Sequence, residues 1–446
     1  MSTKFSSKLS TILVAAGCSV GLGNIWRFPY VAGANGGGAF LLIYLVSIII
    51  IGIPVMLSEF SMGRATHKSA VGAYKELGGR WHWLGLNGVL AATIIMGFYY
   101  VVAGWTTEYF AMSVSGRLAD FSSASQLKDL FGAIVSNPWQ PLVFTLGFIL
   151  VNHLIITMGV AAGLERVSKV LMPLLFFILI GLAINSLLLP NSLEGVVFFL
   201  KPDFSKITPA VILEAVGQSF FSLSIGLGAL IAYGSYIREE TNLRSAALVI
   251  VALDTAVALL AGFIIFPATT SLGIDPTAGP ALVFETLPAI FQALPMSMFL
   301  STVFFVLLMI AALTSTMSLH EVLTVYLMEE WGCSRKKGTT ITTLIVAVLG
   351  TVASLSFSVL SGVKLFDLNM FDFMDYLTAN YMLPIGGLLT CIFVGWMLDR
   401  DVFEEQITNK GKLGGSIVPV MIFLLKYVCP IVLFIVFLNS IGIFKF

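Results

Sequence analysis

The sequence predicts an all-α polytopic membrane protein with eleven transmembrane helices, the first and sixth of them broken. Three observations lead there. Of 446 residues only 11% are charged and 58% are hydrophobic, against about 25% charged in a typical soluble chain. Apolar runs recur along the whole chain, many reaching the ~20 residues that cross a hydrocarbon core. Two of these runs carry Gly-x-Gly near their middles, where glycine costs about 1 kcal/mol relative to alanine. Equal counts of 24 basic and 24 acidic residues, with four histidines, leave no basic footprint for nucleic acid.

Apolar runs between Pro, Gly and charge clusters place the spans at 9–34, 38–62, 84–112, 138–158, 166–189, 209–236, 244–271, 295–328, 338–360, 372–398 and 415–443. The first follows Lys4 and Lys8. Its Ala15-Ala16-Gly17-Cys18 resembles a lipoprotein cleavage site, but the apolar run continues past Cys18, so it reads as a retained helix. It contains Gly21-Leu22-Gly23-Asn24 and then Arg27. The second span holds Glu59 and the third Tyr99 and Tyr100. The fifth carries Pro173, the sixth Ser222-Leu223-Ser224-Ile225-Gly226-Leu227-Gly228, and the seventh Asp254. The eighth contains Thr314-Ser315-Thr316, His320 and Glu321; the tenth has Asp372 and Asp375, and the eleventh Lys426. With the N-terminus inside, sixteen basic residues fall in inner loops and six in outer ones, leaving Arg27 and Lys426 within spans. That is a positive-inside bias, and eleven spans then put the C-terminus outside.

Cys18, Cys333, Cys391 and Cys429 lie far apart, with no spacing that suggests a metal site or disulfide. Gly17-Cys18-Ser19-Val20-Gly21 matches the hydrolase pattern G-x-S-x-G, but inside an apolar span with no nearby His it is chance; the chain is no enzyme.

The paired breaks carry the chemistry. Unwound backbone at membrane depth persists only where it lines a cavity or is buried in protein. Freed carbonyls there become hard ligands for a small cation, and freed N–H groups a carboxylate site. Each break opens a set of five spans, the pattern of a secondary transporter with a midplane site. Close helix packing through small residues is the alternative. It does not explain the oxygen groups at Ser19, Asn24, Ser222 and Asp254. Charges within spans are site candidates by default, since each costs about 2.5–3.5 kcal/mol to insert.

The run from Gly21 through Tyr30, GLGNIWRFPY, followed by Asn35-Gly36-Gly37-Gly38-Ala39-Phe40, resembles the neurotransmitter:sodium symporters, in particular their bacterial amino-acid-transporting branch. Gly217 to Ser224, Ala311 to Thr316 and Phe373-Met374-Asp375-Tyr376 extend the likeness over nearly the whole chain, in order. The resemblance implies the LeuT fold: one transmembrane domain with inverted repeats over about 9–189 and 209–398, an extra helix near 415–443, and alternating access. It implies a multi-pass protein of the bacterial cytoplasmic membrane.

It also implies two sodium sites. One uses the Ser19 carbonyl, Asn24, Ser222 and Asp254, completed by the substrate carboxylate. The other uses the carbonyls of Gly17, Val20 and Ala311 with the hydroxyls of Thr314 and Ser315. The substrate lies against Ser19, Gly21, Gly23, Ile95, Tyr99, Val102, Phe221, Ser222, Ser224, Leu227, Ser315 and Leu319. Gly21 stands where amine-transporting relatives carry an acid, so an amino acid is expected. The uncharged side-chain pocket disfavours charged substrates. Leu227 replaces a Phe and leaves room for aromatic ones. Asp254 stands where chloride-dependent members carry Asn, and with Tyr44, Gln218, Ser222 and Ala258 at the chloride positions, transport without chloride is expected. Gating falls to Arg27 with Asp375 outside, and to Tyr99 and Phe221 over the substrate. Inside, Ser2 and Phe5 replace the family's Arg and Trp, so Lys4 is expected to pair with Glu329 near Tyr236. Gly163 and Pro173 match a pattern associated with unwinding of the fifth span. Proton-coupled transport on the same fold and an amino-acid receptor without flux are the alternatives.

Overall fold

A computed structural model describes residues 4–121, 123–273, 283–292 and 296–443, and among them no β-strand forms. The first apolar segment folds as two helices, α1 (Lys8–Ser19) and α2 (Gly23–Ala34), bent by 52°. There follow α3 (Gly38–Thr66), α4 (His82–Val114), α5 (Gln140–Thr157), α6 (Arg166–Leu187) and the short α7 (Ser192–Leu200). The sixth apolar segment is again divided, into α8 (Pro209–Ser222) and α9 (Ala229–Tyr236). Then come α10 (Leu243–Leu272), α11 (Ser297–Glu330), α12 (Arg335–Leu355), α13 (Met370–Met397) and α14 (Val418–Ser440).

Nine described helices are long and apolar enough to cross a membrane, and ten if the bent first pair counts as one. The expected eleven is not reached by this measure. The sixth segment is divided into helices of 14 and 8 residues, so neither half satisfies a test of length. The ninth span, expected to 360, ends at Leu355 and gives way to turns. Connections expected as loops contain short helices, Ala70–Gly78, Ala124–Ser136 and Arg400–Ile407 among them. Ser123 and Gln126 form a capping box at the start of the second of these.

Burial grades the bundle. In Ala70–Val114, 78% of the most apolar window is buried, against 22% in α14, so the third span is central and the last peripheral. Long α4 and α11 pack against each other along the middle. The broken segments also lie inside: all of α9 is buried, held against α3. That approach runs through Gly63 and Gly234. A Cβ on Gly63 would strike the Ile231 carbonyl, and one on Gly234 would lie 2.8 Å from the Phe60 carbonyl. Backbone cannot yield as a flexible side chain can. Gly63→Val is expected to destabilise the fold by about 1–3 kcal/mol, the range for overpacked cores. A lower melting temperature in detergent checks it, and an unchanged one would refute the backbone-contact argument.

Candidate functional site

The two breaks face each other and share hydrogen bonds. In the first, the Leu22 N–H donates to the Tyr99 hydroxyl at 3.0 Å and the Gly21 N–H to Asn24 Oδ1 at 3.1 Å. In the second, Ser224, Gly226 and Gly228 take φ of 54°, 84° and 72°, left-handed values that the two glycines adopt without cost. The Gly226 N–H donates to Glu59 Oε1 at 2.8 Å, and Ser224 Oγ donates to the Cys18 carbonyl at 3.0 Å. A π-helical turn over Gly23–Arg27 follows the first break and presents both Asn24 and Arg27.

Beside the breaks lies an enclosed oxygen cluster. Asn24 Nδ2 donates to Asp254 Oδ1 at 2.7 Å and to Ser222 Oγ at 2.9 Å. Ser222 Oγ donates to Asp254 Oδ2 at 2.8 Å, and the Tyr44 hydroxyl reaches the same oxygen at 3.3 Å. Asn24, Tyr44, Asp254 and Ala258 are fully buried. Ser19 joins from α1, its hydroxyl donating to the Leu223 carbonyl at 3.5 Å. Every residue named for the first cation site is therefore in this neighbourhood.

The second cluster spans α1 and α11. Ser315 Oγ donates to the Val20 carbonyl at 3.4 Å, and a Cβ on Gly17 would lie 3.3 Å from Thr314 Cβ. Thr314 Oγ1 donates back to Ile310 and Ala311, both at 3.1 Å, the bond such a residue makes in any helix. The five residues are thus adjacent, with the Thr314 and Ser315 hydroxyls and the Val20 and Ala311 carbonyls at one crossing.

A cavity of about 40 Å³ opens between the breaks. Ser19, Gly21, Gly23, Ile95, Tyr99, Phe221, Ser222, Ser224, Leu227, Ser315 and Leu319 line it, as expected. Val102 does not: it is buried one turn further along α4 than Tyr99, so it shares the face of Ile95 and Tyr99 without reaching the cavity. Cys18, Phe220 and Leu383 complete the wall. Nothing in local sequence marks these three as wall residues. No wall residue is charged. A Cβ on Gly21 would collide with Ser315 Oγ and lie 2.9 Å from the Tyr99 hydroxyl. Tyr100, the neighbouring tyrosine, instead meets His320 Nδ1 at 3.2 Å.

A larger cavity, about 190 Å³, is lined by Arg27, Asp375, Phe220, Phe221 and Leu383 among others. The last three also line the smaller cavity, so they form the partition. Arg27 and Asp375 face one space, but among the described residues no ion pair joins them; Arg27 donates to Gln218 Oε1, its guanidinium 5.1 Å from the Phe221 ring centre.

At the opposite end the expected pairing is rearranged. Glu329 accepts the Ser69 N–H at 2.7 and 2.9 Å rather than facing Tyr236, and Lys4 exerts its charge on Glu239. Ser2 lies outside the described residues. The Tyr236 hydroxyl donates to Glu321 Oε1 at 2.7 Å, and Arg335 grips Glu321 with two N–H groups, at 2.9 and 2.6 Å. Glu321 is fully buried. The reason is depth: Glu321 sits two turns earlier on α11 than Glu329 and is level with Tyr236. The Phe5 ring packs edge-on against Tyr236 at 5.7 Å. Glu165, unremarked in the sequence, accepts from Ser10 Oγ at 2.7 Å and pairs with Lys169 at 2.6 Å, pinning the start of α1 beside Gly163.

This arrangement is matched elsewhere. A family model for the sodium:neurotransmitter symporter family matches residues 2–129 and 133–445. The chain is 39% identical over 445 residues to an uncharacterised sodium-dependent transporter, YhdH, of Bacillus subtilis, covering 99% of this chain and 98% of that one. It is 38% identical to an uncharacterised sodium-dependent transporter of Haemophilus influenzae, over 98% and 97% of the two chains. The crystal structure of MhsT in complex with L-phenylalanine superposes with a TM-score of 0.90 at 41% identity, over 98% of this chain and 99% of that one. The chain belongs to the sodium:neurotransmitter symporter family and is a sodium-dependent membrane transporter of the LeuT fold.

Proposed function

We propose that the protein imports neutral hydrophobic L-amino acids, aromatic ones included, with sodium held at two sites and without chloride. One observation carries the reading: the cavity between the breaks joins the Tyr99 hydroxyl and the backbone of Gly21 and Gly23 to a wholly uncharged wall. That end suits a carboxylate and the remainder an apolar side chain. The phenylalanine bound by MhsT supports the same substrate class.

Asn24, Ser222, Asp254 and the Ser19 carbonyl would hold one sodium next to the substrate carboxylate. Gly17, Val20, Ala311, Thr314 and Ser315 would hold the other. Hard, mostly neutral oxygens suit a monovalent hard cation. An ion and a carboxylate in contact stabilise each other reciprocally, which couples the gradient to uptake. Asp254 would supply the negative charge that chloride supplies elsewhere in the family, and Ala258 offers no hydroxyl there. Phe221, between the two cavities, would be the lid on the outer side. Tyr236, Glu321 and Arg335 would lock the inner side, where the N-terminus lies in the cytoplasmic orientation set by the basic loops.

In proteoliposomes with an inward sodium gradient, labelled phenylalanine uptake should be competed by leucine, tyrosine and tryptophan. Glutamate, lysine and serotonin should not compete. Gly21→Asp should lower substrate affinity at least about tenfold, the cost of some 1.4 kcal/mol; a preference for a charged substrate would sink the assignment, and uptake that ignored sodium but tracked pH would mark proton-driven exchange.

Replacing chloride by gluconate should leave uptake unchanged. The double variant Asp254→Asn, Ala258→Ser should become chloride-stimulated. Wild-type uptake that collapses in gluconate is the contrary result.

Removing one partner of a buried ion pair costs about 3–5 kcal/mol, so Glu321→Gln should open the inner side. With Cys333 replaced by serine, labelling of Cys18 by an impermeant thiol reagent from the Arg335 side should rise about tenfold or more. Unchanged labelling would show that the lock lies elsewhere.

A further inference from the structure

Lys426 is a basic residue within a span that the transport cycle does not use. It lies on the peripheral α14, eight residues beyond Val418, about 12 Å along the helix. Among the described residues it has no carboxylate within ion-pairing distance. Its Nζ sits 4.2 Å from the Trp396 ring centre and 5.9 Å from that of Tyr427.

The Trp396 ring is held for this contact. Its Nε1–H donates to the Lys426 carbonyl at 3.0 Å. The helices α13 and α14 cross so closely here that a Cβ on Gly395 would lie 2.8 Å from Lys426 Cα. Trp396, Tyr427 and Phe423 are exposed on the outer surface of the bundle. Trp396 is one residue from the end of α13, and at the same end Trp81 and Trp83 stack while Trp81 packs on Phe393. Tryptophans concentrate at headgroup level, which fixes the depth of the ammonium. An aromatic face attracts a cation but accepts none of the three N–H hydrogen bonds as an oxygen would. A charge at this depth calls for an anionic oxygen partner, and among the described residues none lies within ion-pairing distance.

We propose that Lys426, seated on Trp396, binds the phosphodiester of an anionic phospholipid in the leaflet on the basic side of the protein. A zwitterionic headgroup brings its own ammonium, which Lys426 repels, so a headgroup such as phosphatidylglycerol is selected. Its glycerol lies beside Tyr427, and its first acyl carbons run deeper along α14 over the exposed Ile431 and Phe434.

Trp396 is a built-in reporter. The full chain is reconstituted in phosphatidylcholine bilayers with a small, fixed fraction of brominated phosphatidylglycerol or brominated phosphatidylcholine. The Trp396 signal is taken as wild type minus Trp396→Phe. The anionic lipid should quench it about fivefold more effectively, as expected for one lysine at an anionic surface. Lys426→Arg should keep the preference and Lys426→Gln abolish it. Equal quenching in the wild type would overturn the proposal without reference to any variant, and so would a preference that survives Lys426→Gln. Excess inorganic phosphate should leave the preference intact; displacement by it would show a soluble-anion site instead of a lipid site.

Discussion

Everything about the site depends on how backbone groups released by two helix breaks are satisfied where there is no bulk water. An unpaired amide at membrane depth costs several kcal/mol, so each break persists only because distant side chains have taken over the missing bonds. Glu59 accepts the Gly226 N–H and the Tyr99 hydroxyl accepts the Leu22 N–H. Ser224 joins one break to the carbonyl of Cys18 in the other. These partners come from α3, α4 and the opposite break, so the breaks cannot be formed by local sequence alone. They are held by the bundle around them.

That dependence sets what the sequence reveals. The breaks themselves were legible, because Gly21, Gly23, Gly226 and Gly228 stand where an apolar helix would avoid them. Most of the cavity wall was legible through the family likeness, and Val102 failed because helical periodicity fixes a face but not a depth. Depth also explains the inner end. Lys4, Glu329 and Tyr236 were matched by position along the chain, yet Glu321 is the acid level with Tyr236, and Arg335 reaches it from a different helix. Phe220 and Leu383 enter the wall because α8 and α13 converge there, a fact of packing alone. The count of spans suffered from the opposite cause: composition treats 209–236 as one crossing, whereas the chain divides it into pieces too short for any length rule.

The two cavities share Phe220, Phe221 and Leu383, and this makes one partition responsible for two environments. Arg27 lies against that partition, over the Phe221 ring and bonded to Gln218, rather than on Asp375. Gln218 in turn reaches the Gly23 carbonyl at 3.5 Å. A rotation of Phe221 would therefore disturb the arginine, the glutamine and the second half of the first helix together. Under the proposed reading, substrate that seats beneath Phe221 biases the whole outer assembly without touching Arg27.

The same logic runs toward the other end through α1. Its start is pinned by Glu165 and its Phe5 ring packs on Tyr236, while its last turn meets Thr314 and Ser315 of α11. A cation at that last crossing would bridge two packed helices where the Ser315 hydroxyl now makes a long bond of 3.4 Å. Its loss would remove that bridge and leave the Glu165 contacts and the inner lock to hold α1. An equilibrium shifts only by the differential affinity a ligand has for its two states. A cation bound across this crossing would favour the state in which α1 is packed. Under the proposed reading, departure of that ion toward the Arg335 side would release α1, in the direction where the ion is scarce.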